Sequence, residues 1–194
     1  GISMEALRAT TRDLLRCGAS IQEINTVRKH LSAIQGGRLA AACRAEALAL
    51  IISDVAGDDP THIASGPLSP DPTTFGDALG VLKRYRIGAP GEVLTHLQRG
   101  SQGEVEETPK PGDAAFARVE NRVIATAQQS LQAAAQFFRD EGITAVVLGD
   151  TVTGEAREVA RVFASLARQI RRYGEPWRVP VALLSGGELT VTVR

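Results

Sequence analysis

The C-terminal half of the chain alternates short apolar segments with amphipathic helical segments, and this pattern constrains the fold most. Strand patterns occupy residues 121–126, 143–149 and 179–184, and helical patterns occupy residues 127–141 and 154–173. A β-α-β-α-β order predicts parallel strands joined by right-handed crossovers. We therefore predict an α/β fold, a three-layer α/β/α Rossmann-like parallel sheet with helices on both faces. Ligands of such folds bind beyond the carboxyl ends of the strands.

The N-terminal half carries helix-start signals and one further strand. Ser20 and Glu23 match a capping box, and a second capping pattern begins at Thr74. The apolar run at residues 47–53 is typical of a buried parallel strand. It leads into a long connection, residues 54–72, whose apolar residues and four prolines favour an ordered segment. Connections of this length in compact domains are usually functional or disordered.

Charge and cysteine content exclude several classes of function. The 22 basic and 22 acidic residues balance, so the chain has no electrostatic drive towards nucleic acid or an anionic membrane. Cys17 and Cys43 lack the spacing of a disulfide framework or a zinc site, which favours a cytoplasmic protein. No apolar run approaches the length of a membrane span. Because the sequence begins without Met and ends without a terminating signal, we expect a fragment.

Small and acidic residues follow the predicted strands at Asp54, at 149–150 and at 185–188. This combination suits phosphoryl transfer, because Mg²⁺ takes one or two carboxylates and glycine-rich backbone surrounds phosphate oxygens. Ordinary turns are the alternative: Ser-Gly-Gly-Glu at 185–188 also fits a hairpin, and Gly-Asp-Asp-Pro at 57–60 fits either a metal-binding pair or a turn. Residues 189–193 alternate with period two, which predicts a half-exposed antiparallel strand that begins a second domain.

One face of the second helix gathers Asn25, Arg28, Lys29 and Ser32. Two cations and two hydrogen-bonding groups pointing the same way could hold an anion, and the alternative is a solvated helix surface. His30 is either an acid/base group or a packed side chain. Neither the GxGxxG pattern of dinucleotide-binding Rossmann folds nor the P-loop pattern occurs, so a bound nucleotide would be held differently.

Five long blocks carry a family resemblance. They are CGASIQEINTVRKHLSAIQGGRLA at 17–40, ISDVAGDDPTHIASGPLSPDPTTFGDAL at 52–79, ETPKPGD at 107–113, TGEAREVA at 153–160 and LLSGGELTVTVR at 183–194. In this order they resemble the middle portion of the glycerate 2-kinase family that ends in a MOFRL domain, whose members are often labelled hydroxypyruvate reductase.

The resemblance implies ATP-dependent phosphorylation of D-glycerate at its 2-hydroxyl, with Mg²⁺ or another divalent cation. It also implies a partial α/β domain over residues 1–175 and, over 176–194, a linker and the first strands of a MOFRL-type second α/β domain. Family segments with further catalytic cations would lie outside this chain, so we expect the fragment alone to be inactive. A homodimer is compatible with the resemblance, and no nucleic-acid or membrane partner is expected.

The resemblance also implies roles for nine residues. They are Lys29 and Asp54 as catalytic groups, Arg28, His30, Ser185, Gly186 and Gly187 as substrate- or phosphate-binding groups, and Asp54, Asp58 and Glu188 as metal ligands. Two other functions stay open. One is reduction of hydroxypyruvate by NAD(P)H, which the missing GxGxxG pattern disfavours. The other is a non-catalytic, ligand-binding fragment.

Overall fold

The computed structural model describes residues 1–55 and 57–192 of the 194-residue chain. The elements are α1 (Met4–Arg16), α2 (Ile21–Leu31), α3 (Arg38–Ala42), β1 (Ala47–Ile52), α4 (Phe75–Arg84), α5 (Gly91–Ser101), β2 (Val119–Ala125), α6 (Ala127–Asp140), β3 (Thr144–Glu155), α7 (Ala156–Tyr173) and β4 (Val181–Thr190). Two short 3₁₀ segments, Ile63–Ser65 and Ala114–Arg118, lie between them. No helix in this described part is both long enough and apolar enough to cross a bilayer.

The chain divides into two units. The first contains residues 1–51 and 58–123, and the second contains the described residues of 52–57 and 124–194. The predicted domain boundary, between residues 1–175 and 176–194, differs from the boundary between these two units and stays a prediction. In the structure β4 pairs with β3 inside the second unit.

Both predicted capping boxes are present in the first unit. The Ser20 hydroxyl accepts from the Glu23 N–H while the Glu23 carboxylate accepts from the Ser20 N–H, so α2 begins where the sequence predicts. Thr74 and Asp77 form the same reciprocal pair at the start of α4. Each box satisfies backbone donors that a helix start leaves free.

The core of the first unit lies where α1, α2, α4 and α5 meet. Its largest fully buried apolar side chains are Phe75, Leu14, Leu97, Val27 and Val93. The Phe75 ring packs edge-on against His30, with ring centroids 4.8 Å apart, and against His96 at 5.7 Å. This packing draws the C-terminal turn of α2 into the core.

The second unit confirms the predicted parallel β-α-β arrangement. β3 and β4 run parallel, with Thr144 opposite Val181 and Ser185 opposite Gly149. α7 forms the crossover between them, and both α6 and α7 contact β3. The fold is thus of the α/β class with parallel strands. In the described residues the strands form two two-stranded sheets, β1 with β2 and β3 with β4.

One alternative and one prediction about the end of the chain are wrong. Residues 185–188 do not form a hairpin, since β4 continues straight through them beside β3. Leu189 and Thr190 extend the same strand opposite Gly154 and Glu155, so this stretch is parallel and not antiparallel. Pairing with β3 decides the strand direction here, whereas the period-two pattern reports only that side chains alternate between faces. Val193, the last residue of that pattern, lies outside the described residues.

Candidate active site

A buried charged network surrounds the C-terminal turn of α2. The Lys29 side chain is 3% exposed, and its Nζ lies 3.4 Å from Oδ1 of Asp71, which is fully buried. His30 is also fully buried. Its Nδ1 lies 2.7 Å from the Thr26 carbonyl oxygen, and its Nε2 lies 2.9 Å from Glu107 Oε1. Both ring nitrogens of His30 thus lie within hydrogen-bond distance of an oxygen atom.

The carboxylates of this network are held in their charged forms. Burial raises the pKa of Asp71, but hydrogen bonds from Thr73 and the charge on Lys29 outweigh it, and the pKa lies below its ordinary value. Burial likewise raises the pKa of Glu107, and the Phe75 and Thr108 N–H groups overcome it. The pKa of Glu107 is therefore lowered as well.

The network joins three segments that are distant in sequence. Asp71 is 42 residues from Lys29, and Glu107 is 77 residues from His30. Asp71 Oδ2 is buried and finds no hydrogen-bond partner among the residues that the structure describes. Sequence reasoning gave no role to Asp71 or Glu107, although both lie in the quoted blocks. Their one signal is that each acidic residue lies within two positions of a proline in a long connection.

The solvated-surface interpretation of the polar face of α2 is wrong for two of its four residues. Asn25 is 5% exposed and accepts a hydrogen bond from the Ser65 hydroxyl at 3.0 Å. Lys29 is buried in the network. Arg28 and Ser32 are half-buried. The polar groups of this face therefore serve mainly to bind other segments of the same unit.

The segment that meets Asn25 has an unusual backbone. Ala64, Ser65 and Gly66 adopt consecutive left-handed conformations, with φ of 51°, 59° and 59°. Such a conformation costs a non-glycine residue about 1 to 2 kcal/mol. The Gly36 and Gly37 N–H groups donate to the Ser65 and Gly66 carbonyls at 3.0 and 2.8 Å, which holds the segment in place.

The acidic pair at 58–59 forms a turn. Asp58 is half-buried in a left-handed conformation with φ of 55°. Asp59 Oδ1 accepts from the Thr61 N–H at 2.8 Å, which is an Asx turn, and its Oδ2 lies 3.9 Å from His62 Nε2. Burial raises the pKa of Asp59, but the Thr61 bonds and the charges on His62 and Lys29 bring it below its ordinary value. The electrostatic influence of Lys29 thus extends to this turn.

The second unit carries the other predicted site residues. Asp54 is exposed and follows β1, and the preceding Ser53 N–H donates to the Ala125 carbonyl at 2.8 Å. In β4, Ser185 and Glu188 are exposed and Gly186 is half-buried. Asp54 and Glu188 take part in none of the ion pairs found among residues 1–55 and 57–192.

Gly187 has a structural reason to be glycine. Its φ is 124°, and a Cβ atom at this position would overlap the backbone of Val152 in the paired strand. At Gly186 the nearest neighbour of a Cβ would be a Leu131 methyl group at 3.3 Å, which can move. The close approach of β3 and β4 thus accounts for one of the two glycines without a ligand.

The predicted site residues are divided between the two units. The first unit contains Arg28, Lys29, His30 and Asp58, and the second contains Asp54 and residues 185–188. Across the described positions, no three His, Cys, Asp or Glu side chains gather as a metal-binding group. Asp54 and Glu188 each carry an exposed carboxylate, which is the kind of oxygen ligand that Mg²⁺ takes.

Comparison with known proteins shows which family and which named proteins the chain is similar to. A family model described as "Domain of unknown function (DUF4147)" matches residues 1–98. A Pyrococcus horikoshii protein named glycerate 2-kinase is 44% identical over 100% of this chain and 44% of its own length. An Agrobacterium vitis protein provisionally named a hydroxypyruvate reductase is 48% identical over 96% of this chain and 41% of its own length.

The same similarity holds in three dimensions. The crystal structure of a Thermotoga maritima glycerate kinase matches with a TM-score of 0.81 and 38% identity, covering 100% of this chain and 44% of that one. The chain therefore spans less than half the length of these relatives.

Proposed function

The chain belongs to the family described as "Domain of unknown function (DUF4147)", whose model matches residues 1–98. From this premise, and from its similarity to a protein named glycerate 2-kinase, we propose that the chain is part of a D-glycerate 2-kinase. The reaction transfers the γ-phosphoryl group of ATP to the 2-hydroxyl of D-glycerate and yields 2-phosphoglycerate and ADP. The observation that carries this proposal is the similarity of the whole chain to a protein named glycerate 2-kinase. The fold shared with a glycerate kinase structure supports it.

In the first unit, we assign contact with an oxyanion of the substrate to Arg28, which is half-buried and beside a cavity. Lys29 and His30 are buried and bonded to carboxylates. Lys29 contributes a buried positive charge, and both side chains hold the end of α2 in place. Asp58 remains a candidate metal ligand from the neighbouring turn.

In the second unit, Asp54 and Glu188 supply exposed carboxylates. Asp54 either accepts the proton of the 2-hydroxyl or, together with Glu188, holds Mg²⁺. When bound, this ion neutralises charge on the transferred phosphoryl group. Ser185 and the backbone of Gly186 and Gly187 bind phosphate oxygens in this proposal.

Hydroxypyruvate reduction is the second candidate function, because one relative carries that name provisionally. It requires a nicotinamide site that faces the substrate carbonyl. The kinase proposal is favoured because the chain lacks the GxGxxG pattern.

A direct assay separates the two functions. The complete protein is incubated with Mg-ATP, and ADP release is measured with and without D-glycerate. The kinase proposal requires glycerate-dependent ADP release and formation of 2-phosphoglycerate. Oxidation of NAD(P)H with hydroxypyruvate, without glycerate-dependent ADP release, would establish the reductase. The isolated 194-residue segment serves as a comparison and is expected to be inactive.

A further inference from the structure

A cavity of about 960 Å³ lies within the first unit, next to the C-terminal end of α2. Its lining includes the apolar residues Leu7, Leu31 and Ile34 and the basic residues Arg28 and Arg38. Ligand-binding cavities commonly combine mostly apolar walls with a few charged groups and have volumes of about 300 to 1,000 Å³. The size and chemistry of this cavity therefore match a small organic ligand.

Arg28 and Arg38 form no ion pair within the part of the chain that the structure describes. Arg38 donates from Nη2 to the Glu106 carbonyl at 3.0 Å, while its Nε is buried and finds no hydrogen-bond partner among those residues. A buried donor on a charged group is costly to leave unsatisfied.

Other titratable groups also line the cavity. The Glu107 carboxylate already accepts from the Phe75 and Thr108 N–H groups, and its Oε1 lies 2.9 Å from His30 Nε2. Glu106 is exposed to solvent. Burial and the charge on Arg38 lower the pKa of His96. Arg28 and Arg38 thus share the lining with two acidic side chains, and neither arginine pairs with them in the described residues.

We propose that this cavity binds the carboxylate or phosphate group of a small organic anion through Arg28 and Arg38, with Arg38 as a specificity-determining residue. This inference rests on the proposed function in that D-glycerate carries a carboxylate and ADP carries phosphates. A guanidinium group matches both, because its planar donors form two parallel hydrogen bonds to either oxyanion. The apolar wall accommodates the carbon part of the ligand.

Isothermal titration of the complete protein with D-glycerate, ADP and inorganic phosphate, each alone, tests the inference. Arg38→Gln is expected to weaken at least one of them by about tenfold or more, since a hydrogen bond to a charged group is lost. Arg8→Gln, an exposed arginine on α1 outside the lining, is the matched control and leaves all three Kd values unchanged. Weaker D-glycerate binding alone identifies the carboxylate, and weaker ADP and phosphate binding identifies the phosphate.

Unchanged Kd values in Arg38→Gln, or no binding of any probe to the wild type, would overturn the inference. Arg38→Lys keeps the positive charge but loses the planar pair of donors, so its Kd should lie between those of the wild type and Arg38→Gln. This second variant keeps the test decisive if Arg38→Gln misfolds. The ADP-release assay separates the two proposals. Normal glycerate-dependent turnover with unchanged Kd values rejects only the cavity. Weaker phosphate binding in Arg38→Gln without any wild-type turnover rejects only the kinase.

Discussion

Replacing Lys29 by Met should destabilise the first unit strongly, because it leaves the Asp71 carboxylate buried without its cation. The two charged atoms are 3.4 Å apart, and the side chains are 3% and 0% exposed. At an effective dielectric constant of about 20 their attraction is about 5 kcal/mol. Breaking a buried pair by removing one partner typically costs about 3 to 5 kcal/mol. Two hydrogen bonds from Thr73 to Asp71 persist, so we expect the lower end, about 3 kcal/mol.

Hydrogen exchange of the α2 amides in the complete protein measures this effect directly. A loss of about 3 kcal/mol corresponds to opening that is about 150-fold more frequent. Arg122→Met is the matched control, because Arg122 forms an exposed pair with Glu120 that should contribute less than about 1 kcal/mol. A double variant, Lys29→Met with Asp71→Asn, removes the orphaned charge and should recover much of the protection.

The reasoning would be refuted if Lys29→Met changed the hydrogen-exchange protection of the α2 amides by less than about threefold, no more than the exposed control Arg122→Met does. It would also be refuted if the double variant were less protected than Lys29→Met. Either result would show that the Asp71 carboxylate does not depend on Lys29.

Three further predictions follow from particular residues. Gly187→Ala should lower the melting temperature by about 5 °C or more, because the added Cβ atom meets the β3 backbone. Gly186→Ala, the control, should change the melting temperature by less than about 2 °C. Equal effects of the two substitutions would contradict the strand pairing. The pKa of Asp71 is lower in the folded protein than its value of about 3.9 in the unfolded chain, so the ionised carboxylate stabilises the fold at pH values above about 3.9. This stabilisation is lost as the pH falls through the pKa of the folded protein. The difference in unfolding free energy between wild type and Asp71→Asn, measured by urea titration, should therefore shrink from pH 6 to pH 2. If the kinase proposal holds, Glu188→Gln should lower kcat/KM for D-glycerate about tenfold or more and raise the Mg²⁺ concentration needed for half-maximal rate. Glu46→Gln, at another exposed glutamate, should change neither quantity. Unchanged kinetics in Glu188→Gln would remove Glu188 from the proposed site.

The sequence by itself determined the features that depend on neighbouring residues. Both capping boxes join residues three positions apart, so the sequence contains the whole interaction. The alternation of apolar strands with helices likewise predicted the parallel pairing of β3 and β4. A crossover helix returns the chain to the end of the sheet where the previous strand began, so the next strand runs in the same direction. The sequence placed both Asp54 and Glu188 after predicted apolar strands. Asp54 does follow β1, whereas Glu188 lies within β4, and the roles of both residues stay predictions.

Only the tertiary structure decided which polar groups are buried. Helical spacing placed Lys29 on a polar face, but that face meets Asp71 and Ser65, which lie about 40 residues further along the chain. Similarly, the two glycines at 186 and 187 look equivalent in sequence, and only the close approach of Val152 makes one of them structurally required. Local spacing fixes the direction in which a side chain points along its own element. Burial and charge pairing depend on which distant segment packs against that face, and the energies of many such contacts together select the arrangement.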